Sequence, residues 1–73
     1  MKVHVILMRE VAADPERRQA IAVRLAALGL AEINQQRLER YGIASGDIDP
    51  SQFSTLQREE GVAKVEPGQI RHI

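Results

Sequence analysis

The sequence contains no cysteine and no tryptophan, and its only aromatic residues are Tyr41 and Phe53. Without thiols there is no disulfide to staple a fold and no thiolate to hold zinc. Two aromatics cannot build a stacking platform for nucleic-acid bases. Charge of one sign is missing as well: ten basic residues balance ten acidic ones. The eight arginines are interleaved with acids, as in Arg9-Glu10, Glu16-Arg17-Arg18 and Arg58-Glu59-Glu60. Binding a phosphate backbone needs an excess of basic residues, so no nucleic-acid partner is expected. Long hydrophobic runs are absent too. The apolar opening, Val3 to Met8, meets Arg9-Glu10 at once, is too short to span a membrane and has no small-residue cleavage site after it. The expectation is a cytoplasmic protein with no membrane partner.

What is present is enough for one thin-cored domain. The chain has 73 residues, 44% of them hydrophobic, which predicts a single globular domain over 1–73. A domain of this size buries only about 60% of the surface its unfolded chain exposes. Residues 2–9 read as a buried strand, β-branched and continuously apolar. Asp14-Pro15 opens a helix, the carboxylate capping free N–H groups and proline taking the first helical position. Ile21, Leu25 and Leu28 then share one face, with Ala22 and Ala26 beside them, and Gly29 ends the helix.

Residues 32–41 are polar on both faces and are read in part as an edge strand, although their propensity also allows a helix. Residues 43–48 form a short strand in which Gly46 marks a bulge or the close approach of another backbone. Asp49-Pro50 repeats the helix-start device, with Gln52 at the third helical position. Phe53 and Leu56 anchor that helix, Gly61 ends it, and Val62 to Glu66 form a last strand. The predicted fold class is α+β: a ferredoxin-like βαββαβ domain, with a four-stranded antiparallel sheet and two helices on one face.

Catalytic and metal-binding patterns are sparse. His4 and His72 stand at opposite ends of the chain with no partner at a metal-ligand interval, and read as a strand histidine and a tail histidine. Asp49 is accounted for as a helix cap, which leaves Asp47 without a partner for carboxylate acid–base work. Lys2 and Lys64 are the only lysines, and in so thin a domain they read as solvated rather than as desolvated Schiff-base formers. No glycine-rich phosphate cradle leads into a helix. No catalytic residue, metal or cofactor is expected, and the chain reads as a non-enzyme.

The sheet geometry carries more. Val3, Val5 and Leu7 alternate with His4, Ile6 and Met8. If the helices cover the first set, the second lies on an open face, joined by Ile43 if Ala44 and Ile48 point inward. Such an apolar patch on a small domain reads as a contact surface. The alternative reading is a homo-oligomeric or small-ligand-binding domain, a second copy covering the face in a homodimer with an isologous interface.

The second half carries a resemblance. Ser45-Gly46-Asp47-Ile48-Asp49, a short helix with Phe53 and Leu56, and Gly61-Val62-Ala63-Lys64-Val65-Glu66 are together similar to the subtilisin propeptide and proteinase-inhibitor family. The opening strand, the helix ended by Gly29 and the order of elements extend the likeness over nearly the whole chain. The resemblance implies a domain whose open sheet face packs on a subtilisin-like serine protease while its C-terminal tail lies in the active-site cleft. Carried onto this sequence, the face is His4, Ile6, Met8, Ile43 and Ser45. Glu66 opens the tail over 66–73, and Ile70, Arg71, His72 and Ile73 enter the cleft. Extended tails bind by backbone pairing, with alternate side chains filling pockets. Pro67-Gly68 stands where the family places a further acidic residue after Glu66. With no protease domain following, the expectation is a freestanding inhibitor, a chaperone acting in trans, or a domain that has kept only the fold.

Overall fold

The computed structural model describes residues 1–68. The elements run in the order β1 (Lys2–Leu7), α1 (Arg9–Ala12), α2 (Pro15–Ala27), α3 (Gln35–Tyr41), β2 (Ile43–Asp47), a 3₁₀ turn (Pro50–Gln52), α4 (Phe53–Gln57) and β3 (Val62–Pro67). The sheet has three strands in the order β2-β1-β3, and β1 is antiparallel to both neighbours. β2 and β3 are therefore parallel to each other, with α4 in the connection between them and β1 lying between.

Local chemistry accounts for the helix ends. The Asp14 carboxylate accepts from the backbone N–H of Glu16 at 3.0 Å and of Arg17 at 3.4 Å, with Pro15 in the first turn. Beyond α2, Gly29 takes a left-handed φ of 108°. Asp49 accepts from both the N–H and the hydroxyl of Ser51, at 2.9 and 2.8 Å, which starts the turn into α4. These bonds favour the charged carboxylate, and the Ser51 N–H above all holds Asp49 below its ordinary pKa.

One side of the sheet is sealed by helices. Val3, Val5 and Leu7 of β1, Ala44 of β2 and Val65 of β3 are buried in one cluster with Ile21 and Leu25 of α2, Leu38 of α3 and Leu56 of α4. At about 1.5–3 kcal/mol for each fully buried large aliphatic side chain, this cluster is the main source of stability. Ala44 and Ile48 point inward as the alternation requires, while on α2 Leu28 is half-buried and Ala26 exposed.

The fourth strand is not formed. Residues 32–41, read in part as an edge strand, instead carry α3. The Asn34 side chain caps α3 by accepting from the Arg37 N–H at 3.0 Å. Gly42 stops the helix at φ 67°, its N–H donating to Leu38 O at 3.0 Å. A β-carbon on Gly42 would lie 2.5 Å from that of Ala12. Polarity on both faces, taken as the mark of a strand edge, belongs to a surface helix held by one buried residue, Leu38. Only one bridge occupies the edge position: Ala31 and Asp47 exchange N–H···O bonds, both 2.8 Å. Asn34 N–H adds a bond to Ser45 O at 2.9 Å. Gly46 permits this approach, because a β-carbon there would sit 2.5 Å from the Ala31 carbonyl oxygen.

The opposite rim differs. β3 pairs with β1 alone, and Ala63 is an extra residue where the register slips between Ile6↔Lys64 and Leu7↔Val62. Exposed Lys64 and Pro67, together with this bulge, are the devices by which natural sheets keep an edge from recruiting further strands.

Candidate functional site

The side chains of β1 that alternate with the core set emerge on the other side of the sheet. Strand register then places the neighbours: Ile6 lies between Ile43 and Lys64, and His4 between Ser45 and Glu66. Ile6 and Ile43 are half-buried and, unlike Phe53 and Val62, do not pack against the core cluster. They form an apolar centre flanked by the Lys64–Glu66 ion pair, 3.0 Å long. His4, Ile6, Ile43, Ser45 and Glu66 are thus brought onto one surface.

Met8 is not among them. β1 ends at Leu7, and Met8 precedes α1, 43% exposed. It lines a separate groove of about 560 Å³ with Val11, Arg17, Ile21 and Gly61. The bulge beside Ile6 and Leu7 ends the regular alternation on which its assignment depended. Ile70, Arg71, His72 and Ile73 lie outside the described residues.

The His4 imidazole Nδ1 lies 2.7 Å from Ser45 Oγ, and Arg37 Nη1 reaches the same oxygen at 3.5 Å. Guanidinium only donates, so Ser45 Oγ accepts from Arg37; the direction of its bond with His4 follows the imidazole tautomer. The chain of bonds joins α3, β2 and β1 and fixes the ring on the open face. A serine on an imidazole is also the first element of a nucleophilic pair. Here the hydroxyl is already shared with the Arg37 guanidinium.

Beside this cluster the 31–37 segment runs along the β2 edge and borders a cleft of about 480 Å³. Lys2, His4 and Ser45 form its floor, and Glu32, Asn34 and Arg37 its wall, with Asp47 and Gly68 at the ends. Lys2 and Asp47 are register partners, and Asp47 lies 3.8 Å from the N-terminal ammonium, which donates to Ile48 O at 2.8 Å. Glu32 is the one non-glycine residue among the described residues with positive φ, at 55°, a conformation that costs on the order of 1 kcal/mol. Sequence reasoning missed Arg37, Glu32 and Asn34 because it placed their segment in the sheet plane. The Asn34 cap and the Gly42 stop were the features that could have found them.

Among the described residues, no three His, Asp or Glu side chains gather into a group able to hold a metal ion, and no helix is long and apolar enough to cross a membrane. No protein-family model, no curated protein and no solved structure matches the chain.

Proposed function

We propose that the chain is a non-enzymatic binding module that docks on a protein partner through its open sheet face, in the manner of a freestanding subtilisin-propeptide-type inhibitor. The observation that carries this reading is the pair Ile6 and Ile43, side by side on β1 and β2 and apart from the domain's own core. Half-buried aliphatic side chains ringed by His4, Ser45, Lys64 and Glu66 make an apolar centre with a polar rim, the anatomy of a protein interface. The connectivity adds support. With the Ala31–Asp47 bridge counted in place of a fourth strand and α1 and α3 as additions, the sheet is compatible with the ferredoxin-like arrangement of the propeptides. In this reading the partner is a subtilisin-like serine protease, and Ile70 to Ile73 supply the segment that enters its cleft.

The test is a titration of the protein into a subtilisin assay, with solution mass recorded in parallel. The wild-type chain inhibits. Ile6→Glu, which puts a charge at the centre of the contact, weakens inhibition by at least tenfold with the fold intact. Deletion of residues 70–73 abolishes inhibition and leaves the domain folded. Absence of inhibition by the wild type, or inhibition indifferent to both changes, rejects the reading. A second reading places another copy of the chain on the same face. Lys2 and Lys64 face solvent there beside Asp47 and Glu66, so both signs of charge are present for pairing across a two-fold axis. A dimer mass that Ile6→Glu converts to monomer selects this alternative.

A further inference from the structure

We infer that the cleft between the β1–β2 face and the 31–37 segment is a binding subsite for a single carboxylate. Charge is the first reason. The lining sets Lys2 and Arg37 against Glu32 and Asp47, and the N-terminal ammonium, 3.8 Å from Asp47, brings the count to one positive charge in excess with the imidazole neutral. A monoanion restores balance, whereas a phosphate dianion overshoots it and meets Glu32.

Arg37 is the second reason. Among the described residues its guanidinium makes one hydrogen bond, the 3.5 Å contact to the neutral Ser45 hydroxyl, and no ion pair. A planar fork of donors with a single long bond is matched by the two oxygens of a carboxylate. The segment's geometry is the third. Glu32 holds a left-handed backbone, and the Ala31–Asp47 bridge and the Asn34 N–H bond to Ser45 O pin the chain on either side of it. The segment carrying Arg37 is thereby tied to the β2 edge beside Ser45. The Asn34 carbonyl oxygen is engaged as the cap of α3, which turns its amide into a further donor near the same space.

This subsite does not depend on the docking reading. The carboxylate is supplied either by an acidic side chain of a bound protein or by a free small acid. The experiment follows backbone amide shifts of the full chain by NMR at constant ionic strength and neutral pH. The probes are acetate, a capped glutamate peptide, its glutamine counterpart and inorganic phosphate. Acetate and the glutamate peptide shift the amides of Lys2, Asn34, Arg37 and Ser45 across the millimolar range, and the glutamine peptide does not. Arg37→Gln weakens binding about tenfold, the loss of one charge-assisted pair. Lys2→Gln weakens it about threefold, as befits a solvated point charge. Both residues are exposed, so at least one variant keeps the fold and reads the effect. Tighter binding of the peptide than of acetate assigns the acid to a protein side chain, and equal binding assigns it to a free acid; either supports the site. Absence of shifts in the wild type, shifts that survive both substitutions, or phosphate binding tighter than acetate overturns it.

Discussion

Replacing Gly46 by alanine probes the contact on which the cleft wall hangs. Gly46 lacks a left-handed φ, so alanine meets no conformational objection, and at an open position the change stabilises by about 0.4–1 kcal/mol through the unfolded chain. Here the new β-carbon lies 2.5 Å from Ala31 O and 3.2 and 3.3 Å from the Leu30 side chain. The carbonyl must retreat, and it accepts the Asp47 N–H bond of the bridge. Losing the two bridge bonds costs about 0.5–1.5 kcal/mol each, and crowding the buried Leu30 adds about 1 kcal/mol. Set against the gain, the net loss is about 2 kcal/mol. A domain of this size holds roughly 4–11 kcal/mol in total, so the midpoint of thermal unfolding falls by about 8–16 °C. Urea unfolding with an unchanged slope measures the loss, and hydrogen exchange at the Ala31 and Asp47 amides locates it. A variant as stable as the parent, or more so, refutes the argument, because the two accounts differ in sign.

Other substitutions separate anchor from cap in α3. Leu38→Ala removes its fully buried contact with the core and costs about 2–5 kcal/mol in chemical denaturation, whereas Asn34→Ala, which removes only the cap, costs about 1 kcal/mol; similar losses from both would contradict this division. Asp49 supplies a pH dependence. Its folded pKa lies below the ordinary aspartate value because Ser51 donates to the carboxylate. The contribution is therefore complete above the unfolded pKa and lost as pH falls through the folded one. Asp49→Asn flattens the acid limb of the stability curve below the usual aspartate range, and a limb of unchanged steepness removes Asp49 from the account.

The parts of the fold legible in the sequence are those whose determinants are local. The apolar run of β1, the Asp14-Pro15 start of α2, the Gly29 stop and the Asp49-Pro50 turn each contain their own cause. β1, expected over 2–9, stops at Leu7 where α1 takes over. Asp49-Pro50 opens a 3₁₀ turn, with α4 confined to Phe53–Gln57, short of Gly61, and no side-chain cap from Gln52. α3 escapes this reading although its cap and stop are equally local, because polarity on both faces suits an edge strand as well as a surface helix. The short helix α1 has no side-chain cap at Met8, and nothing in the sequence announces it. The open face was legible through alternation along β1, which is why His4, Ile6, Ile43 and Ser45 fall together. Alternation fails at a bulge, and Met8 lies just past one. The bond between His4 and Ser45 depends on how β1 and β2 are registered, forty-one positions apart in the chain, and strand alternation alone does not fix that register.

The two sides of the sheet end differently, and this bears on how the molecule can aggregate. Fibrous growth requires each subunit to offer strand backbone at both flanks. One flank is spoken for by the stretch around Ala31 and Asn34. The other terminates in an imino acid with no hydrogen to give, next to a lysine and a backbone kink. Crowded copies of this protein thereby lack the pair of free strand flanks from which an endless ribbon grows.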